Sequence, residues 1–152
     1  MSLVLNRQNA EDMNMVDSVQ QLGIFLHLAQ ANKRRMRPLV RDRMLVLAGA
    51  LAAELELTSI AGYCRSEILR NNPKHIVRRW PTISTAMDDD DFLFFLKQVR
   101  RRFPLEKAER ELSVHGLEMA QERATYYSDI EYAAAILGKS PDELNLYGES
   151  RR

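Results

Sequence analysis

The chain has one cysteine, three histidines and one tryptophan in 152 residues, and each scarcity removes a class of chemistry. Cys64 alone can form neither an internal disulfide nor a cysteine-based zinc framework, which fits a reducing compartment and makes the expected localisation cytoplasmic. There is no HExxH pair, no GxxxxGK phosphate loop, and no serine or cysteine in an activated context. The chain is therefore read as non-catalytic, and no cofactor is expected. No run of Val, Ile and Thr alternates with polar residues as a half-buried strand would. No apolar stretch reaches the roughly 20 residues of a membrane-spanning helix, and the N-terminus lacks the basic region and apolar core of a secretory signal.

What is present is Ala, Leu, Glu and Arg, with 45% hydrophobic residues and few Gly or Pro to interrupt them. That composition predicts an all-α fold, a compact single-domain helical bundle of about six or seven helices. Its centre is the segment 44–57, MLVLAGALAAELEL, which has no polar side until Glu54 and Glu56. A helix apolar almost all round must be enclosed by several neighbours, so a buried central helix is expected over about 39–57. Within it, Ala48, Gly49, Ala52 and Ala53 are small enough to let the first or third helix cross closely. The domain is expected over 16–148, between a poorly ordered arm at 1–15 and a tail at 149–152.

The first helix is expected from Asp17, where Gln20 completes a capping-box spacing, to about Asn32. Val19, Leu22, Leu26 and Ala29 form its inner face. His27 falls on the solvent side, while Ile24 and Leu28 on that side hint at a second buried surface. Thr58 or Ser59 is expected to cap a third helix that turns Ile60, Cys64 and Ile68 inward, with Cys64 as a packed thiol and Asn71-Asn72-Pro73 as its stop. Pro73 and Pro81 prevent a long helix around Trp80, which reads as a core plug.

The four aspartates at 88–91 invite a calcium loop, but such a loop needs Gly at its sixth position and Glu at its twelfth. Counted from Asp88, those positions hold Leu93 and Val99. The aspartates instead suit the N-terminal end of a helix with Phe92, Phe95, Leu96, Val99 and Phe103 on one face, and Arg100, Arg101 and Arg102 suit its C-terminal end. Pro104 opens a further helix on Leu105, Ala108 and Leu112, expected to finish in a Schellman stop at Gly116. Were that helix continuous to about Tyr127, Glu111, His115, Glu118 and Glu122 would share a face and could ligate a divalent metal. This is the one ligand-like constellation in the sequence, and Gly116 argues against it.

Ser128 with Glu131, and Ser140-Pro141-Asp142-Glu143, repeat the helix-start pattern on either side of Gly138. The segment EYAAAILGKSPDEL resembles the helix-turn-helix of phage-repressor-type regulators at Ala134, Gly138 and Leu144. The resemblance implies a helix presented to the DNA major groove. Here that helix opens with Asp142 and Glu143, which phosphates would repel, so the segment is read as an αα-hairpin used for packing.

The net charge of +1 hides an asymmetry: residues 1–103 carry 16 basic and 11 acidic side chains, and residues 104–150 carry 4 and 10. The densest basic stretch is 33–43, with Lys33, Arg34, Arg35, Arg37, Arg41 and Arg43 against Asp42 alone. Two functions follow from this. The first is binding to a protein partner or to a second copy, motivated by the outer apolar residues of helix one and by the opposed charges. The alternative is nucleic-acid binding through Arg34, Arg35, Arg37, Arg41 and Arg43, with Arg78 and Arg79 of the stretch 74–79 as a second basic surface.

Overall fold

In the computed structural model the backbone is described for residues 2–114 and 122–148, and side chains for residues 18–113 and 122–148. Eight α-helices occur among them: α1 (Ser2–Arg34), α2 (Pro38–Glu54), α3 (Thr58–Asn71), α4 (Ile83–Ala86), α5 (Asp90–Arg102), α6 (Leu105–Val114), α7 (Asp129–Leu137) and α8 (Pro141–Asn145). Short 3-10 segments lie at Ile76–Arg79 and Arg123–Thr125. No described residue is in a strand.

Helix α2 is the centre, as its composition requires. It packs on α1 and α3 along most of its length and on α4 and α5 elsewhere, so residues 44–52 are buried on every side. The helix closes at Glu54, slightly before the expected end. Gly49 marks the tightest crossing: an ideal Cβ there would lie 2.6 Å from Cδ1 of Ile83 and 3.2 Å from Cβ of Cys64. The elements that approach are therefore α3 and α4. Cys64 is fully buried between Ile60 and Ile68 on α3, as a packed thiol. No side chain caps α3; its N-cap is Leu57, and Ser59 is buried.

Helix α1 does not start at Asp17. It runs from Ser2, because residues 2–22 contain neither Pro nor Gly to stop it; the expected arm is thus largely helical backbone. Its second apolar side is covered within the chain. Ile24 and Leu28 are buried at 6% and 1% exposure, since α6 and α7 pack against α1 opposite α2.

The remaining elements follow their local signals. Asp89 caps α5 by accepting from the Asp91 amide, and Ser128 caps α7 by accepting from that of Glu131. Ser140 and Glu143 form a reciprocal capping box at α8. Trp80 is buried and meets Phe92 edge-on, and its indole N–H donates to Asp89 at 3.0 Å. Helix α8 packs on α3 and α7, with Leu144 fully buried and Tyr147 edge-on to Tyr63 at 5.3 Å. The helix that resembles a DNA-reading element is thus a packing element. The stop expected at Gly116 and the tail at 149–152 lie outside the described residues.

Candidate functional site

The basic stretch 33–43 begins in solvent and ends in the core. Three helices end with the same pair of backbone bonds, and the first of these ends forms the α1–α2 corner. There the Arg37 N–H donates to the Asn32 carbonyl at 2.9 Å and the Met36 N–H to that of Lys33 at 3.1 Å, which places Met36 at the left-handed position with φ +57°. Arg34, Arg35 and Arg37 are all exposed around it. Lys33, Arg34 and Arg37 have no acidic partner among the described residues. Two large apolar side chains stand among these charges, Met36 at 86% exposure and Leu39 at 69%.

Arg41 does not belong to that surface. Its guanidinium donates to the Glu67 carboxylate at 2.6 Å between α2 and α3, with both side chains below a tenth exposed, and Arg70 meets the other Glu67 oxygen at 3.3 Å. One turn of helix carries the chain from the exposed corner into the α2–α3 contact, and a charge is tolerated there only because it is paired. Beside it, buried Asp42 accepts from the Asn71 amide at 3.3 Å, and burial raises its pKa against the lowering effects of Asn71 and Arg41.

Arg43, half-buried, lies over the Phe103 ring at 5.9 Å from its centroid. It shares a shallow cavity of about 380 Å³ with Phe95, Gln98, Val99, Arg101 and Arg102. The basic surface that meets the 33–43 stretch is therefore the C-terminal end of α5. Of the expected 74–79 surface, Arg78 is exposed, but Arg79 pairs with Asp91 at 3.0 Å and stacks over Trp80. The sequence alone relates Arg101 and Arg102 only to the α5 dipole, because nothing local links residue 43 to residue 101.

A second cavity, of about 390 Å³, lies between α1, α2 and the start of α6. Phe25, Leu47, Leu51, Phe103 and Leu105 contribute apolar lining, and the exposed ion pair between Arg100 and Glu54, 3.4 Å apart, contributes polar lining.

The metal constellation is only partly visible. His115 and Glu118 lie outside the described residues, Glu111 is half-buried on α6, and Glu122 is engaged elsewhere. Both Glu122 oxygens lie 3.3 Å from Nε2 of His27, so His27 faces a carboxylate rather than open solvent. The reason is the cover that α6 and α7 give to the outer side of α1. Among the described residues no group of three His, Cys, Asp or Glu side chains could hold a metal ion.

Four further groups have shifted pKa values, and that of Asp89 is lowered by the hydrogen bonds it accepts from the Trp80 indole and the Asp91 amide. Burial lowers that of His75, whose Nδ1 accepts from the Val77 amide at 3.2 Å and whose ring meets Phe95 edge-on. Burial pushes Tyr63 up to about 12, assisted by the nearby Glu67. Burial also raises Tyr132, whose hydroxyl has no hydrogen-bond partner among the described residues.

The fold and these surfaces define an all-α helical bundle with an exposed basic and apolar corner and a separate arginine-lined dish. No protein-family model, no curated protein and no solved structure matches this chain. No helix among the described residues is long and apolar enough to cross a membrane.

Proposed function

We propose that this chain is a non-catalytic helical interaction module whose partner is another protein, engaged at the α1–α2 corner. The observation that carries the reading is Met36 and Leu39, two large apolar side chains exposed among Lys33, Arg34 and Arg37. Burying them in a partner's pocket gains roughly 1.5 to 3 kcal/mol for each side chain fully buried. Unpaired basic residues around them select a partner with an acidic rim and speed its approach. The strained φ of Met36 supports the same reading, because strain kept where a glycine would relieve it points to a use for the side chain. The outer face of α1, which the sequence offered as the motive for association, is occupied within the fold and carries no part of this.

The test is capture from native extract on immobilised protein, with and without nuclease, beside the double variant Met36→Glu, Leu39→Glu. The expected result is a protein retained in both nuclease conditions and lost with the variant. Retention that disappears with nuclease, or that the variant leaves intact, overturns the proposal. Should the retained protein be the chain itself, light scattering will show a mass that falls as salt rises.

A further inference from the structure

The cavity where α2 meets α5 carries three guanidinium groups and no carboxylate among its lining residues. Like charges gathered on one concave surface repel each other and raise the local concentration of anions. The neighbouring Arg100 meets Glu54, but Arg101 and Arg102 have no ionic partner among the described residues. Their position at the C-terminal end of α5 gives them a favourable helix dipole. Arg43 has no such support, since it lies in the N-terminal half of α2. Its guanidinium is held at the Phe103 ring, to which Lys107 also presents its ammonium, 4.9 Å from the same centroid.

Part of the lining is aromatic. Phe95 is half-buried, with His75 edge-on at 5.7 Å and Phe92 at 6.2 Å fixing its ring. Forked cations around a fixed aromatic suit a ligand that joins phosphate to a planar ring. Guanidinium binds phosphate oxygens in pairs, and a base stacks on an aromatic face whatever its identity. A volume of about 380 Å³ is within the usual range for small-ligand sites.

We propose that this dish binds a nucleotide unit, with the phosphate on Arg43, Arg101 and Arg102 and the base against Phe95 and Val99. The unit is either a free nucleotide or part of a single strand. The site is separate from the α1–α2 corner and does not depend on the partner proposed there.

Fluorescence anisotropy tests it, with a labelled single-stranded oligonucleotide of mixed sequence at about 50 mM salt, and with labelled ATP as the second probe. The expected result is binding of at least one probe, weakened about tenfold by Arg101→Gln with Arg102→Gln. For the oligonucleotide, the slope of log affinity against log salt should become shallower, by about 0.7 for each phosphate no longer neutralised. Phe95→Leu should weaken binding and leave that slope unchanged. Binding of ATP alone identifies a free nucleotide as the occupant, and binding of the oligonucleotide alone identifies a strand. Either supports the dish. Arg101 and Arg102 are exposed, so these variants keep the fold, which circular dichroism checks. The proposal is overturned if neither probe binds, or if binding persists in Arg101→Gln with Arg102→Gln; its loss in Arg34→Gln with Arg37→Gln then places the binding at the α1–α2 corner.

Discussion

Gly49 and His75 show how single residues set the limits of this core. At Gly49 a methyl group would meet the end of Ile83 and the Cβ of Cys64 at distances that require something to move. Gly49→Leu should therefore overpack the crossing and destabilise by roughly 1 to 3 kcal/mol. Gly49→Ala tests the contact more finely, because Ile83→Val removes the obstructing methyl group. In a urea-denaturation cycle the two substitutions should couple by about 0.5 kcal/mol or more. Additive costs would mean that the contact with Ile83 does not limit the site.

His75 governs a pH response. Its Nδ1 accepts the Val77 amide, which a protonated ring cannot do. Burial lowers its pKa below the ordinary 6.5, so the unfolded chain takes up the proton first as pH falls. Between those two values the unfolded state binds more protons, and stability is lost as pH drops below about 6.5. Asp42 gives the opposite slope: its raised pKa lets the folded state hold the proton longer, so stability falls as pH rises through the carboxylate range. In an Asp42→Asn background, the urea midpoint should decline from about pH 7 to 5. His75→Asn keeps an acceptor that does not titrate, and should flatten that decline. An unchanged profile would place the sensitivity elsewhere.

Among the elements, the helix ends are the most informative. Residues 36, 56 and 138 all hold a left-handed conformation, at φ +57°, +61° and +67°, each closing a helix with the paired backbone bonds of a Schellman stop. Only the third is glycine, and that stop alone was legible in the sequence, where Gly138 separates two helix starts. Met36 and Glu56 reach the same geometry because the antiparallel packing of α1, α2 and α3 requires the chain to reverse there. A non-glycine residue pays about 1 to 2 kcal/mol for this conformation. Met36→Gly and Glu56→Gly should each raise stability in thermal unfolding by about 1 kcal/mol, and Gly138→Ala should lower it by about as much. Nothing lies within 4 Å of a Cβ at Gly138, so its cost is conformational alone. No gain for Met36→Gly would remove the strain argument for the corner.

At the scale of the whole molecule, few ion pairs among the described residues link the two opposed charge regions. Most ion pairs with both side chains described join neighbours within one region, such as Arg41 with Glu67, Arg79 with Asp91 and Arg123 with Asp129. Among the described residues, His27 with Glu122 is the one pair that crosses from the basic to the acidic part of the chain. The sequence by itself determined the helical class, the central helix, the inward faces of α5 and α6, the aspartate-rich start of α5, and the caps at Ser128 and Ser140, because helical periodicity and cap chemistry act over about one turn. It also exposed the charge density around residues 33–43. Only the tertiary structure decided which of those charges are available. Arg41 is lost to Glu67, 26 positions away; Arg43 joins Arg101 and Arg102 from a distant helix; and the outer face of α1 is closed by α6 and α7. The physical reason is that burial and ion pairing depend on which elements meet across the fold, and no local pattern of residues records that.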